Sequence, residues 1–338
     1  MAVDAVVSDC SCPGVEFRLR RTGSGLQKAR TKEVTEPMSI DVRPFRRGDR
    51  DQLTLLVNAH ASAVMPGASA SVNTVLNQLE REPSEFIVDP WVIDRLTLVA
   101  QQRERIVAAA YLHRYADDDC VNASLRNAGL IHWFVFWPDA EAAAELLMRA
   151  CLATLDGWHV AMQGADGSLP VPGVYGIPEQ WPHIQALFER VGFTHGGRIE
   201  IVHLANVAGL PTNGDSPIQG LIVQRSVGAS GTRFSAVVRD DVVGFIEVES
   251  REEPGRTPLH AGLADIGNLC VMEGWRRRGL GRWLIAQAAD RLRLGRFDRL
   301  SDYAWPEEED RRAFLRAVGF REITRTRRGW RRQIHEVA

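Results

Sequence analysis

Lysine is almost missing from this chain. Of its 41 lysine and arginine residues, Lys28 and Lys32 are the only lysines, so beyond residue 32 every basic side chain other than histidine is an arginine. No Gly-Lys-Ser/Thr can be formed, which excludes a P-loop. No apolar run approaches the roughly 18 residues of a membrane span, so no membrane partner is expected. The cysteines (Cys10, Cys12, Cys120, Cys151 and Cys270) are odd in number and scattered. That argues against a disulfide framework and suits free thiols in a reducing cytoplasm. Cys10-x-Cys12 is too short and isolated for zinc, and no metal site is expected. Charge imbalance is also missing: a net charge of -2 gives no global pull toward nucleic acid or membrane. With 45% hydrophobic and 25% charged residues, the composition is that of a soluble globular protein. A length of 338 residues suits two domains.

The most informative stretch is Val271-Met272-Glu273-Gly274-Trp275-Arg276-Arg277-Arg278-Gly279-Leu280-Gly281. The apolar run 263–271 before it reads as a buried strand. Residues 282–294 after it read as an amphipathic helix, with Leu284, Ile285, Ala288, Ala289 and Leu292 on one stripe. Gly279 and Gly281 lack a Cβ, so backbone can approach a ligand closely. The first amides of a helix have no intrahelical acceptor and sit at the positive end of its dipole. A strand, a glycine turn and a helix in this order form an anion site suited to a phosphate or pyrophosphate.

The spacing Arg276-x-x-Gly279-x-Gly281, preceded by Leu269-x-Val271, resembles the acetyl-CoA motif of the GCN5-related N-acetyltransferases (GNAT family). The resemblance implies acetyl-CoA as acyl donor. The turn would hold its phosphates, with Arg276, Arg277, Arg278, Leu280 and Arg282 lending amides or charge. Backbone around Leu269, Cys270 and Val271 would pair with pantetheine as an extra strand would. Cys270 itself reads as a small buried apolar residue.

Taken in order, residues 1–37 are expected to be a disordered tail, and the segment from Met38 reads like a natural beginning. No apolar core follows the basic residues of this tail, so it does not read as a signal peptide. From Ile40 the pattern predicts a strand at 40–45, helices at 50–61 and about 71–81, and strands at 95–100, 105–115 and 130–137. A helix at 140–155, a strand at 158–162, a helix at 178–190 and a strand at 198–204 follow. Asp117-Asp118-Asp119 reads as a solvated loop, since adjacent carboxylates diverge. Leu187-Phe188-Glu189-Arg190-Val191-Gly192-Phe193 parallels Phe314-Leu315-Arg316-Ala317-Val318-Gly319-Phe320, an offset of 320 − 193 = 127 residues. This is a domain-sized repeat. The expected fold is α/β, with mixed sheets in two tandem GNAT-like domains at 38–205 and 218–338 joined by a linker at 206–217.

The first copy has lost the motif: Glu141 stands for the arginine, and Ala144 and Leu146 stand for the glycines. It is expected to bind CoA poorly or not at all. The second copy has strands at 220–227, 233–239 and 242–250, and only a turn where the family places its first two helices. The two halves are therefore expected to complement each other, with the acceptor at or near their interface.

Acyl transfer to an amine needs the amine deprotonated and held near the thioester. Asp265, six residues before Val271, is the first candidate base, with Glu247 second and His260 lower; a water relay is the alternative. A tyrosine that often serves as acid in the family is replaced by Leu315, and by Phe188 in the first copy, leaving Tyr303, just after an expected strand at 299–301, as the substitute candidate. Trp275, Trp305 and Trp330 default to packing roles. The arginines Arg325, Arg327, Arg328, Arg331 and Arg332 read as strand surface or as a contact to the other half, not as a nucleic-acid patch. The expected reaction is acetylation of a primary amine on a small molecule, with a homodimer as a candidate assembly. The alternatives are a peptide or protein N-acetyltransferase, and a CoA-binding regulatory module without turnover.

Overall fold

The computed structural model describes residues 39–80, 91–171, 173–250 and 262–333. The expected tail, Cys10, Cys12 and His260 lie outside these residues. The first half runs β1 (Ile40–Pro44), α1 (Arg50–Val64), α2 (Val72–Leu79), β2 (Val92–Gln102), β3 (Arg105–Tyr115), β4 (Ala128–Phe136), α3 (Glu141–Gly157), β5 (Met162–Ala165), β6 (Ile177–Pro178), α4 (Pro182–Arg190), β7 (Phe193–His195) and β8 (Ile199–Asn206). The second half runs β9 (Leu221–Gly228), β10 (Gly231–Val238), β11 (Asp241–Ser250), β12 (Gly262–Val271), α5 (Leu280–Leu294), β13 (Phe297–Ala304), α6 (Glu309–Ala317), β14 (Arg321–Arg327) and β15 (Trp330–Arg332).

Three expectations shift. The strand placed at 158–162 lies at β5 instead, because Trp158 closes α3 and His159 turns the chain at φ 52°. The helix placed from 178 starts at Pro182, since Ile177 and Pro178 pair with β14. Tyr303 lies inside β13, not after it.

The two sheets exchange their last strands. One has the order β1-β2-β3-β4-β5-β15-β7, and the other β6-β14-β8-β13-β12-β11-β10-β9. Trp330 of β15 pairs between Ala165 and His195. Reciprocally, β8 lies antiparallel between β13 and β14. The linker expected at 206–217 therefore separates the chain into two segments but not the sheets. The core follows the exchange: Trp330 and Leu263 of the second half, and Val202 and Leu204 of β8, belong to the hydrophobic cluster of the first half. The terminal arginines reinforce it, with Arg327 bonded to Gln185, Arg328 to Glu200 and Asp166, and Arg332 to Gln163.

On the second sheet, α5 and α6 cover one face, where Leu284, Ile285, Ala288, Leu292 and Leu315 pack with Ala264, Ile266 and Leu300. Alternation sends Leu263 and Asp265 to the opposite face, beside Arg299 and Ser301 of β13. No helix lies between β9 and β10 to cover this face. The first half supplies cover there. The Arg299 guanidinium donates to the carbonyls of Pro66 and Gly67, in the α1–α2 connection. Gly173 is so close to Met65 and Leu263 that a Cβ there would stand 2.2 Å from the Met65 methyl.

Candidate active site

The parallel pairing of β12 and β13 ends at Asp265 and Ser301. Past this point, among the described residues, β12 continues to Val271 with a strand on one flank only, β11. A bulge marks the fork: Glu247 pairs with Asn268 and Val248 with Ile266, leaving Gly267 extra. The strand thus opens a wedge whose one wall is a row of backbone amides and carbonyls at Ile266–Val271.

The wedge leads to the glycine turn. Arg277 (φ 61°) and Gly279 (φ 83°) are left-handed, and Gly279 is the N-cap of α5. The first intrahelical bond is from the Trp283 amide to the Gly279 carbonyl, so the amides of Leu280, Gly281 and Arg282 precede it. Residues 276–279 and Arg282 are exposed, whereas Leu280 anchors the helix in the core. At Gly281 a Cβ would stand 3.1 Å from the Phe314 ring, so glycine lets α6 pack closely here as well as leaving the backbone open. The Arg276 Nε donates to the Val271 carbonyl (3.1 Å), and Arg278 stacks over Trp275 (5.3 Å). Leu269, Cys270 and Val271 are half-buried along the open flank. Converging amides, three neighbouring arginines and an unpaired strand edge fit a thin ligand with a pyrophosphate at one end.

The candidate acid–base groups lie on the face turned toward the first half. Asp265 is buried at the fork, and the Ser301 hydroxyl approaches both its Oδ1 (3.0 Å) and the Ala264 carbonyl (3.1 Å). Tyr303 lies two residues farther along β13 and packs against Tyr175, with ring centroids 5.8 Å apart. Leu315, where the family often has tyrosine, is fully buried among the helix-side core residues. Glu247 is placed differently. Its Oε2 accepts from Asn268 Nδ2 (2.8 Å) and the Ser230 amide (3.2 Å), and its Oε1 accepts from Arg233 (3.2 Å). The Asn268 bond, helped by the amides of Ser230 and Ala229 and by Arg233, outweighs burial and holds its carboxyl below the usual range. Arg233 also stacks 3.6 Å over Phe245. The turn between β9 and β10 folds onto the bulge because Gly228, Gly231 and Gly267 leave room. A Cβ on Gly267 would stand 2.1 Å from that of Ser230. Asn268, Ser230 and Arg233 were not singled out in the sequence. The one available signal was a lone amide in an apolar strand.

The first half has the same fork without the cradle. Its β4 pairs with β5 only from Ala128 to Ile131, and His132 is the bulged residue. The turn, however, is gone: α3 begins at Glu141, the position of Arg276, because Glu-Ala-Ala-Ala continues the helix where the other copy needs left-handed residues. Glu141 and Glu145 pair with Arg190 (2.7 and 3.4 Å), so these two acidic residues face α4. The strand edge is also capped. The His132 carbonyl accepts from the Ser168 amide (2.9 Å). The Phe136 carbonyl, equivalent to that of Val271, lies 3.1 Å from the Nε2 of both His60 and His183. Burial pushes His60 down to about 4 and lowers His183, so both rings are neutral near pH 7.

Residues 230–322 match the family described as "Acetyltransferase (GNAT) domain". Among solved structures, a tandem GNAT protein from the clavulanic acid biosynthesis pathway aligns over 88% of this chain and 100% of its own, at 14% identity and TM-score 0.60. A GCN5-related glucosamine N-acetyltransferase region of a fungal multi-domain GH3 β-N-acetylglucosaminidase aligns over 88% of this chain, at 15% identity and TM-score 0.59. This chain spans 38% of that protein. A GCN5-related N-acetyltransferase from Sphaerobacter thermophilus gives 14% identity over 87% of this chain and 95% of its own, at TM-score 0.55. At these identities the shared property is the fold. Among curated proteins, none matches.

Proposed function

We infer that this chain, a GCN5-related N-acetyltransferase built of two GNAT-like halves, transfers an acetyl group from acetyl-CoA to a primary amine of a small molecule. The observation that carries the reading is that an open strand edge leads directly into a left-handed turn and a helix N-terminus, in the second half only. When bound, acetyl-CoA supplies the activated thioester carbonyl. Gly279, Leu280, Gly281 and Arg282 would hold its phosphates, with Arg276, Arg277 and Arg278 adding charge. Backbone at Leu269–Val271 would align the pantetheine arm.

The acceptor lies on the face shared with the first half. Asp265 takes the proton of the attacking amine, directly or through water, and Ser301 fixes its orientation. Glu247 is a weaker candidate, since its carboxylate is held ionised by three donors. Tyr303 is placed on the same face to protonate the departing sulfur. A small acceptor suits this face better than an extended peptide: the first half covers it at Leu263, and the 228–231 turn covers it at Gly267. With free thiols and no helix among the described residues long and apolar enough to cross a membrane, a cytoplasmic enzyme is the reading adopted.

The test is CoA release across a panel of primary amines. Steady turnover supports the transferase. Binding of acetyl-CoA without turnover on any amine would instead support a regulatory module, the reading favoured by the buried Leu315.

A further inference from the structure

Resting on the transferase reading, we propose that Asn268 receives the acceptor amine at the point of attack, and that Glu247 is the residue that positions it. Glu247 is held ionised and can only accept hydrogen bonds. The Asn268 amide must therefore turn its Nδ2 toward β11, as observed at 2.8 Å. Its Oδ1 is then left for the other flank, where among the described residues β12 has no strand partner beyond Asp265. Asn268 is exposed in the wedge, one residue before the backbone that would align the pantetheine arm, and its side chain shares a face with Asp265. The rest of the clamp is rigid. Glu247 is 1% exposed, the Ser230 amide and Arg233 bind the same carboxylate, and Gly267 allows the turn to close over the bulge.

A neutral amide oxygen suits this task. It accepts one N–H of the amine and aims the lone pair at the thioester carbon. It does not stabilise the ammonium form as a second carboxylate would. In the step, the amine nitrogen forms a bond to the acetyl carbon and the carbon–sulfur bond breaks. The electron pair leaves on sulfur, and one amine proton passes to Asp265. The other proton stays on nitrogen, bonded to Asn268, and remains in the amide product. Both N–H bonds are thus used, which selects primary amines over their N-methyl counterparts.

The experiment is steady-state kinetics of the full chain with the best amine of the panel and its N-methyl analogue, alongside calorimetric binding of acetyl-CoA. Asn268→Ala is expected to lower kcat/KM for the primary amine roughly tenfold or more, the scale of one oriented hydrogen bond. Acetyl-CoA affinity should change less than twofold, and the preference for the primary over the N-methyl amine should shrink. Glu247→Gln, which retains an oxygen for Asn268 and Ser230, should lose less than Glu247→Ala. The Asn268→Ala/Glu247→Ala pair should be no slower than the worse single variant. If Glu247→Ala does not fold, Asn268→Ala decides alone. Unchanged amine kinetics in Asn268→Ala, or an equal loss of acetyl-CoA affinity, overturns the proposal. Absence of turnover in the wild type would overturn the transferase reading, and this proposal with it.

Discussion

Replacing Trp330 by alanine tests whether the exchanged strands make the two halves one folding unit. Trp330 belongs to the second half in sequence, yet it is 1% exposed in the core of the first, against Phe188 and His195. Its Nε1 donates to the Arg327 carbonyl (3.0 Å). Truncating a buried tryptophan costs about 3–5 kcal/mol. At about 2 °C per kcal/mol for a chain of this size, the melting temperature should fall roughly 6–10 °C. The informative part is cooperativity. The turn proposed to hold acetyl-CoA lies in the other half, but ligand bound at about 100 times its Kd stabilises the folded state by about 2.7 kcal/mol. If the sheets unfold together, acetyl-CoA should raise the lowered midpoint of Trp330→Ala by roughly 5 °C in a single transition, followed by calorimetry or circular dichroism. Two separate transitions, with only one responding to acetyl-CoA, would refute the reasoning.

Stability should also fall with acid through His60. Its folded-state value of about 4 lies below the ordinary 6.5, so between these values the unfolded chain binds more protons than the folded one. The contribution is present above about pH 6.5 and is lost toward pH 4, the loss amounting to about 2 kcal/mol at pH 5. Urea midpoints at pH 7 and pH 5 should differ less in His60→Gln than in the wild type; equal differences would remove His60 from the account. Restoring the motif letters in the first half by Glu141→Arg, Ala144→Gly and Leu146→Gly should not create a second acetyl-CoA site. The Phe136 carbonyl is already faced by two histidine rings. Appearance of a second binding step in equilibrium dialysis would contradict this.

Much of this was legible in the sequence because it is local. Arg276, Gly279 and Gly281 announce the turn by their spacing between an apolar strand and an amphipathic helix. The repeat follows from the parallel segments 187–193 and 314–320, and the shortage of helices in the second copy from comparing its pattern with that of the family it resembles. The strand exchange was not legible, since Ile199–Asn206 and Trp330–Arg332 alternate the same way whichever sheet receives them. A strand's pattern specifies its faces and says nothing of its neighbours. The same holds for the site. Glu247 was legible as the second candidate base, but its partners Asn268, Ser230 and Arg233 come from two other strands and a turn, and only the register brings them together. In the first half, Glu141, Ala144 and Leu146 marked a lost motif. That α3 would start a full turn early, and that helices α1 and α4 would cap the strand edge, depended on packing.

The central claim is that one half of the chain, and only one, binds acetyl-CoA. Calorimetric titration of the wild type and of Arg282→Glu tests it most directly. Arg282 is exposed in the first turn of α5. A glutamate there suits the helix dipole, so stability should hold or rise slightly. Its charge opposes a phosphate, at about 1 kcal/mol for each of the two units changed. The account predicts one site per wild-type chain, and a roughly thirtyfold weaker one in Arg282→Glu at unchanged melting temperature. Two sites per chain, or full affinity in Arg282→Glu, would contradict it.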